Sequence, residues 1–429
     1  MPDGALPPRA VPLSQGTVRA ARDRIALRRR AVAIWSAGVL AILAAGVAAR
    51  AAGAPGGLAG GGVLAGLAAW LLWQDRFMRT TGGIPVLTWH SVSRNAGWLP
   101  WAEATSVTPE TLDRQLALLR RMGCQSMDSV EFVRRRMAGA TVPPETVILH
   151  FDDGYLDNWV AAAPLLARHG MRASLFVSLD FIAPPRPVPA TILDPGAVLR
   201  WDGYLSWDEL RALDGGAFGG AFGIEPHGVD HGRVPVGPRV VDHVDPGNWR
   251  RLAWVQWAAM PGDKHDWYVS DAPPARGHGT PVHESAPALA APAWSPGGGE
   301  DEAAYRARLL RDLLACRQVF LTRLGRAPNI FCWPQNRASD AGRAIAAETG
   351  YLATTAGHGT NRADEDPAVL SRVHVGERVA GFRWPAADDL FLRATILGFR
   401  GNHYWYFPVL ALSLLRRGAT ALRVAGGGA

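Results

Sequence analysis

Two adjacent carboxylates, Asp152 and Asp153, stand at the end of an apolar run that begins at Val147. An apolar run of this length that ends in a turn signal is typical of a buried β-strand. Gly154 follows and permits a sharp turn, since glycine adopts positive φ without steric cost. Successive side chains of a strand point to opposite faces, so one carboxylate can bind a metal ion while the other accepts a proton. The same tripeptide also occurs in ordinary turns at strand ends.

Two histidines further along the chain could complete a metal site. His227 and His231 are four residues apart, a spacing that brings both imidazoles to one side of a helical turn. Two histidines and one carboxylate would give a divalent ion three protein ligands and leave one position open for water. An ion held in this way lowers the pKa of water and polarises a carbonyl group, and a second carboxylate can serve as general base.

The segments around these residues predict an α/β fold. Runs typical of strands alternate with segments typical of helices, and the strand runs are 85–89, 146–151, 173–178, 222–225, 329–333 and 351–355. This alternation predicts a parallel sheet or a (β/α) barrel, in which functional residues collect at the carboxyl ends of the strands. The residues that fall at such ends are Asp152, Asp153, His227 and Trp333.

Residues 235–300 interrupt this alternation. They are rich in Pro, Gly, Ala and His and hold four tryptophans, which are Trp249, Trp254, Trp257 and Trp267. We predict a long, partly ordered insertion near the mouth of the site. A substrate-binding role and a solvated loop both fit this composition.

Charge and cysteine usage argue against two other classes of protein. Residues 1–30 form a basic tail with seven arginines against two aspartates, which is +5 of the net charge of +7. A nucleic-acid-binding domain would spread basic charge over a folded face, so no nucleic-acid partner is expected. The three cysteines, Cys124, Cys316 and Cys332, have no CxxC spacing, so neither a disulfide framework nor a thiolate zinc site is expected.

Residues 31–73 predict a membrane anchor of two apolar stretches separated by Arg50. We interpret them as a two-helix hairpin, although a single span followed by an apolar linker also fits. The arginine-rich tail keeps the N-terminus in the cytoplasm, and the composition is typical of a GC-rich bacterial genome, so the membrane is the bacterial inner (cytoplasmic) membrane. A hairpin would leave the main domain in the cytoplasm, whereas a single span would place it outside.

The motifs resemble those of the polysaccharide deacetylase (NodB-homology, carbohydrate esterase) family over residues 84–380. The Phe-Asp-Asp-Gly-Tyr run at 151–155 is similar to the family's first motif, the histidines at 227–231 to its second, and residues 86–90 to its opening strand. The resemblance implies a distorted (β/α) barrel of the polysaccharide deacetylase type, a divalent metal ion of the Zn²⁺ kind, and hydrolysis of N-acetyl groups on amino sugars.

The same resemblance implies a role for each residue of the site. Asp152 would be the general base, and a backbone N–H of Tyr155 would donate to the oxyanion. The metal ligands would be Asp153, His227 and His231.

Two features depart from the family pattern. Where the family carries an arginine before an aromatic-Pro pair, this chain has Cys332 before Trp333 and Pro334, two residues that we predict to bind substrate. The group that orients the base is therefore missing or supplied elsewhere. The family's late Leu-x-His motif, which supplies the general acid, has no clear counterpart; His374 is the best candidate, followed by His358.

Residues 381–429 end the chain with an aromatic cluster, a short apolar run and paired arginines. This pattern is typical of an interfacial membrane contact, and a terminal helix packed on the barrel fits equally.

The sequence as a whole predicts an enzyme, a membrane-anchored N-deacetylase of an amino-sugar polysaccharide of the cell envelope or of its lipid-linked precursor. One alternative is a deformylase of a lipid-linked amino sugar. The other is a catalytically weak glycan-binding or assembly protein, suggested by Cys332 and the missing late histidine.

Overall fold

A computed structural model describes residues 15–77, 82–258, 262–269 and 277–426 of the chain, which divides into two units. The barrel unit contains Val86–Gly357 and Asp366–Glu377, and the helical unit contains Gly16–Pro85, His358–Glu365 and Arg378–Ala429.

The barrel unit holds the strands and most of the short helices. The strands are β1 (Val86–Trp89), β2 (Ser91–Val92), β3 (Ser106–Val107), β4 (Gln125–Ser126), β5 (Thr146–Phe151), β6 (Ala173–Val177), β7 (Phe222–Pro226), β8 (Arg233–His243), β9 (Pro281–Pro287), β10 (Ile330–Phe331), β11 (Ala353–Gly357), β12 (Val369–Ser371) and β13 (Val373–His374). The α-helices of the described residues are α1 (Gln15–Ala51), α2 (Gly56–Phe77), α3 (Ala102–Thr105), α4 (Pro109–Arg121), α5 (Ser129–Met137), α6 (Ala163–Arg168), α7 (Trp207–Asp214), α8 (Ala217–Gly220), α9 (Ala253–Trp257), α10 (Glu302–Leu324), α11 (Asp340–Glu348), α12 (Pro385–Phe399) and α13 (Tyr406–Gly426).

Parallel strand pairing builds a distorted barrel, which confirms the predicted α/β fold. One sheet has the order β13-β1-β5-β6-β7, with β4 paired to the start of β5, and a second has the order β10-β11-β12. The amide of Cys332 donates to the carbonyl of Pro226 at 3.0 Å, which joins the end of β10 to the end of β7. Only Arg372 separates β12 from β13, so the extended run 369–374 belongs to both sheets and completes the ring.

Local sequence signals account for several of these elements. Thr108 caps α4 by accepting from the amide of Thr111, and Ser206 with Glu209 forms a capping box at the start of α7. Such caps stabilise a helix by about 1 kcal/mol each. Gly325 ends α10 in the left-handed region at φ 71°, a conformation that costs glycine little. All six residues of β5 are buried, as the apolar run predicts.

The interrupting stretch is built largely as a two-stranded antiparallel ribbon of β8 and β9. Lys264, the only lysine of the chain, is buried beyond α9. Its Nζ lies 2.5 Å from Oδ2 of Asp180 and donates to the carbonyl of Gly262 at 2.8 Å. This buried ion pair attaches the insertion to the segment that follows β6.

Two stretches of the helical unit, Arg24–Ala51 and Gly56–Gln74, are long and apolar enough to cross a membrane. Gly38 lies against the ring of Trp70 and Gly46 against Val63, and in both places a Cβ atom would collide with the side chain. These pairings make α1 and α2 an antiparallel hairpin in which glycine permits close approach.

The C-terminal helices also pack inside the helical unit. The ring of Phe407 at the start of α13 lies 4.0 Å from that of Trp35 in α1, centroid to centroid. Leu412 is buried in a cluster with Ala380 and Ala387 that joins α13 to α12. The aromatic cluster predicted at the C-terminus therefore contacts the first of the two apolar helices.

Candidate active site

The carboxyl ends of strands β1, β5, β6, β7 and β13 surround a cavity of about 620 Å³. Ligands bind at this end of parallel strands because the loops there are free to carry functional side chains. The cavity is lined by six of the residues predicted from the sequence, which are Asp152, Asp153, Tyr155, His227, His231 and His374.

The three predicted metal ligands lie together. Oδ1 of Asp153 is 3.4 Å from Nε2 of His227 and 3.7 Å from Nε2 of His231. A tetrahedral zinc ion holds its ligand atoms about 3.4 Å apart, so these separations fit such an ion. Nδ1 of His227 lies 2.9 Å from the carbonyl oxygen of Cys332. A carbonyl only accepts hydrogen bonds, so Nδ1 of His227 carries a proton and Nε2 is the nitrogen that faces the site. Burial alone would lower the pKa of His227, but Cys332 and Asp153 raise it well above its usual range, so metal binding would release the proton of Nε2.

Another trio of Asp152, His227 and Cys332 offers ligand atoms at similar separations. Both oxygens of Asp152 are engaged by Arg372, and Nδ1 of His227 is engaged by a carbonyl. The donor set of Asp153, His227 and His231 is therefore the better metal site.

Unusual backbone conformations bring these ligands together. Asp153 has φ 74°, so strand alternation ends at Asp152 and both carboxylates face the cavity instead of opposite faces as the sequence predicted. Residues 227–231 form a loop and not a helical turn, and His231 has φ 50°. The two imidazole rings nevertheless lie 5.0 Å apart. Gly154 is required at its position, because at φ 71° a Cβ atom would also crowd Val177.

The loop that carries the two histidines is fixed from two sides. The amide of Asp180 donates to the carbonyl of Val229 at 2.9 Å, and that of Leu179 donates to Gly228 at 3.2 Å. From α10, the carboxylate of Asp312 accepts the amide of Val229 at 3.2 Å. Burial, followed by the nearby charge of Asp230, raises the pKa of Asp312 to about 7.

Asp152 is buried and held by both terminal nitrogens of Arg372, at 2.8 Å to each carboxylate oxygen. Nε of Arg372 donates to Oδ1 of Asn336 at 2.8 Å, which fixes the guanidinium in turn. Such bidentate pairs are strong and directional. The orienting arginine that the third motif lacks is therefore supplied by the residue between β12 and β13.

The electrostatics of the site keep both carboxylates ionised. Burial alone would raise the pKa of Asp152, but Arg372, with His227 and His90, holds it well below its usual range. For Asp153 the same penalty of burial is outweighed by His227 and His231, and its pKa is also well below its usual range. Burial lowers the pKa of His231 to about 4, so its imidazole is neutral, as a metal ligand must be.

His90 is a site residue that the sequence analysis did not single out. It directly follows β1, and its Nε2 lies 3.7 Å from Oδ2 of Asp152. Its ring meets that of His374 edge to face, with the centroids 5.1 Å apart. Desolvation, followed by the charge of His90, lowers the pKa of His374. The signal was available, since His90 ends a strand that lies next to the predicted Asp152 strand.

Three other predicted residues lie elsewhere. Trp333 and Pro334 are buried and do not line the cavity, because Trp333 packs into the core against Phe331 with the ring centroids 4.7 Å apart. The following residues Gln335 and Asn336, at φ 54° and 53°, turn to the cavity instead. His358 belongs to the helical unit and does not line the cavity.

Aromatic rings form a large part of the cavity wall. The indole N–H of Trp101 donates to the hydroxyl of Tyr155 at 3.1 Å, and the phenol of Tyr204 accepts from the insertion's Trp267 at 3.0 Å. Burial raises the pKa of Tyr155, so its phenol is neutral. The insertion also contributes Trp254 and Trp257 to the wall, which supports the substrate-binding interpretation of that stretch.

No protein-family model matches the chain, and no curated protein is similar to it in sequence. Among solved structures it is similar to a de-N-acetylase from Aggregatibacter actinomycetemcomitans, with 18% identity, 68% of this chain and 94% of that chain covered, and a TM-score of 0.47. The BpsB deacetylase domain from Bordetella bronchiseptica is 20% identical over 68% of this chain and 96% of its own, with a TM-score of 0.46. IcaB from Ammonifex degensii is 15% identical over 75% of this chain and 98% of its own, with a TM-score of 0.45.

Proposed function

We propose that the chain is a metal-dependent hydrolase that removes N-acetyl groups from amino sugars of a polysaccharide or of its lipid-linked precursor at the bacterial inner membrane. The observation that carries this proposal is the ionised Asp152, oriented by Arg372, beside the cluster of Asp153, His227 and His231 on one cavity wall. Amide hydrolysis needs a proton acceptor for water beside a group that polarises the carbonyl, and this arrangement offers both.

The metal would be a divalent ion held by Asp153, His227 and His231, a donor set that suits Zn²⁺. When bound, it would polarise the amide carbonyl and lower the pKa of water. The hydrogen bond from Nδ1 of His227 to the carbonyl of Cys332 directs Nε2 to the site, and His231 is neutral, so both imidazoles are suited to this role. A backbone N–H of Tyr155 is proposed to donate to the oxyanion.

Asp152 is proposed to take the proton of the attacking water. Its low pKa keeps it ionised at every physiological pH, and Arg372 prevents it from rotating away. For the general acid, the geometry favours His90 over the sequence candidate His374. Nε2 of His90 lies 3.7 Å from Oδ2 of Asp152, whereas His374 forms no ion pair with Asp152 within the described residues and is exposed.

The cavity suits an N-acetylated amino sugar. Its aromatic wall can stack against the apolar face of a pyranose ring, and the polar groups at the strand ends can orient the N-acetyl group. The glycan-binding alternative was motivated by Cys332 in place of the arginine and by the missing late histidine, and the Arg372–Asp152 pair answers the first of these reasons. A deformylase would use the same machinery, and the identity of the released acid separates the two activities.

Acetate release from N-acetylglucosamine oligomers by the full chain in detergent tests the proposal. Chelation should abolish activity and Zn²⁺ should restore it, and Asp152→Asn should lower kcat by about 10³-fold or more while metal still binds. The exposed Asp113→Asn is the matched control and should behave as the wild type. His90→Gln should lower kcat more than His374→Gln does.

Three results would contradict this scheme. Activity that persists in metal-free protein would show that the reaction needs no metal ion. Formate as the released acid would show that the reaction is deformylation and not deacetylation. Glycan binding without turnover in metal-loaded protein would favour the binding-protein alternative.

A further inference from the structure

Arg233 presents a half-buried guanidinium on the cavity wall, in β8 just beyond the histidine loop. Its Nε donates to the hydroxyl of Ser285 at 3.1 Å, and its terminal nitrogens donate to the Ser285 carbonyl at 2.7 Å and to the side chain of Gln335. The ring of Trp254 lies below the guanidinium, with its centroid 5.4 Å from Cζ. These contacts hold the group in place and use three of its five N–H donors.

All of these partners are neutral. Within the part of the chain that the structure describes, no carboxylate bonds to Arg233. Two other arginines of the same wall do have carboxylate partners, since Arg372 binds Asp152 and Arg251 binds Asp242 at 3.0 Å. The charged neighbour that acts on Arg233 is a second cation, the exposed Arg337. A half-buried cation without a counter-charge is costly, and an anionic ligand would offset that cost.

We propose that Arg233, assisted by Arg337, forms a subsite for a phosphate group carried by the amino-sugar substrate. The inference rests on the proposed function, because it places the phosphate in the same cavity as the site of amide hydrolysis. The planar guanidinium presents parallel N–H donors that match the oxygens of a phosphate ester. The substrate class is thereby narrowed from neutral glycans to phosphorylated amino sugars, either a soluble sugar phosphate or a lipid-linked phosphodiester.

The two apolar helices favour the lipid-linked source, since a membrane-anchored enzyme meets substrates that are held in the bilayer. Three probes separate the sources: N-acetylglucosamine, its soluble 1-phosphate, and its dodecyl phosphodiester in detergent. A lower KM for the diester than for the 1-phosphate identifies a lipid-linked substrate, and the reverse order identifies a soluble one. Either result supports the phosphate subsite, provided that kcat/KM is higher for both phosphorylated probes than for N-acetylglucosamine.

The decisive quantity is the ratio of kcat/KM for the 1-phosphate to that for N-acetylglucosamine. We expect a ratio of at least tenfold in the wild type, because hydrogen bonds between a guanidinium and an ionised phosphate are stronger than those to a neutral sugar. Arg233→Gln should reduce the ratio by about tenfold and Arg337→Gln by less. Arg239→Gln is the matched control, since Arg239 lies on the same strand, is exposed, and pairs with Glu284 at 2.9 Å away from the cavity wall.

A wild-type ratio near one, or a ratio that Arg233→Gln leaves unchanged, would overturn the subsite. Calorimetric binding of the 1-phosphate to each variant separates this outcome from failure of the proposed function. If no probe releases acetate but Arg233→Gln still weakens binding of the 1-phosphate about tenfold, the deacetylase proposal fails and the subsite stands. If Arg233→Gln does not fold, the graded effect of Arg337→Gln on the same ratio decides the question.

Discussion

Arg372 gives Asp152, the proposed general base, an unusual combination of properties. The bidentate pair fixes the carboxylate and keeps it ionised, since the guanidinium lowers the pKa of Asp152 by more than burial raises it. A carboxylate with so low a pKa is a weak base, because proton transfer is most efficient when the pKa lies near the working pH. Arg372 therefore fixes the orientation of the Asp152 carboxylate but weakens it as a base.

Replacing Arg372 tests that balance. Arg372→Gln should raise the pKa of Asp152 by about one to three units, because an opposite charge in contact is lost, so the acid limb of the pH profile of kcat/KM should move to higher pH. Loss of one partner of a buried pair should also lower the free energy of unfolding by about 3–5 kcal/mol. The measurements are the pH profile and denaturant unfolding, with Arg168→Gln in an exposed pair as control. An unshifted acid limb would mean that Arg372 does not act on the base.

The sequence predicted the carboxylates and histidines that meet in the cavity but not the residues that support them. Asp152, Asp153, His227 and His231 carry chemistry in their type and spacing, so they could be recognised without a structure. Arg372 could not, because its partner Asp152 lies 220 residues earlier and only barrel closure brings the two together. The conformation of Asp153 was equally hidden, since a positive φ in a residue other than glycine has no reliable local signal.

At the scale of elements, the loop with the two histidines depends on α10. The helix delivers Asp312 to the amide of Val229, so one buried carboxylate fixes the backbone midway between His227 and His231. Asp312 lacks a compensating cation in its hydrogen bonds within the described residues and faces Asp230 and Asp180 instead. At a pH between 3.8 and about 7, the folded protein therefore keeps a proton on Asp312 that the unfolded chain releases.

This proton predicts a pH dependence of stability. The pKa of Asp312 is about 7 in the folded state and 3.8 ordinarily, so its contribution is fully present below pH 3.8 and is lost as the pH rises through about 7. Asp312→Asn cannot ionise, so it escapes this loss of stability. The difference in Tm between the variant and the wild type should therefore change by several degrees in favour of the variant from pH 5 to pH 8. Calorimetry measures this, with Glu302→Gln at the exposed start of the same helix as control. A constant difference in Tm across this range would show that Asp312 is ionised in the folded state.

Elements governed by local rules were predicted better than those governed by packing. The caps at Thr108 and Ser206 and the strand at 146–151 follow from residue type and periodicity, and the structure has them. The helical segment after Asp157 begins instead with a π-helical turn over Asn158–Ala162, which periodicity alone does not predict. The ribbon of the insertion escaped prediction because its strands pair across an intervening segment rather than through a short turn.

At the scale of the whole molecule, the hairpin of α1 and α2 bears on the compartment of the active site. The arginine-rich tail favours a cytoplasmic N-terminus, and a chain that crosses twice returns to the same side. We therefore expect a fluorescent reporter fused after residue 429 to be fluorescent in the cytoplasm and an alkaline phosphatase fused there to be inactive. Deleting residues 52–77 leaves one span and should reverse both readouts. An active phosphatase on the intact chain would contradict the double crossing.

The helical unit is assembled from three separate stretches of the chain. Arg24 donates to the carbonyl of Gly359 at 2.9 Å, and Asn361 donates to that of Ile84 at 2.9 Å. The stretch before the barrel sequence and the short stretch 358–365 that interrupts it thus complete each other, and the hairpin is not a detachable appendage. A shortened chain without it would bare the apolar faces of α12 and α13. Purification and crystallisation of this protein therefore call for the entire polypeptide in a nanodisc rather than a water-soluble fragment.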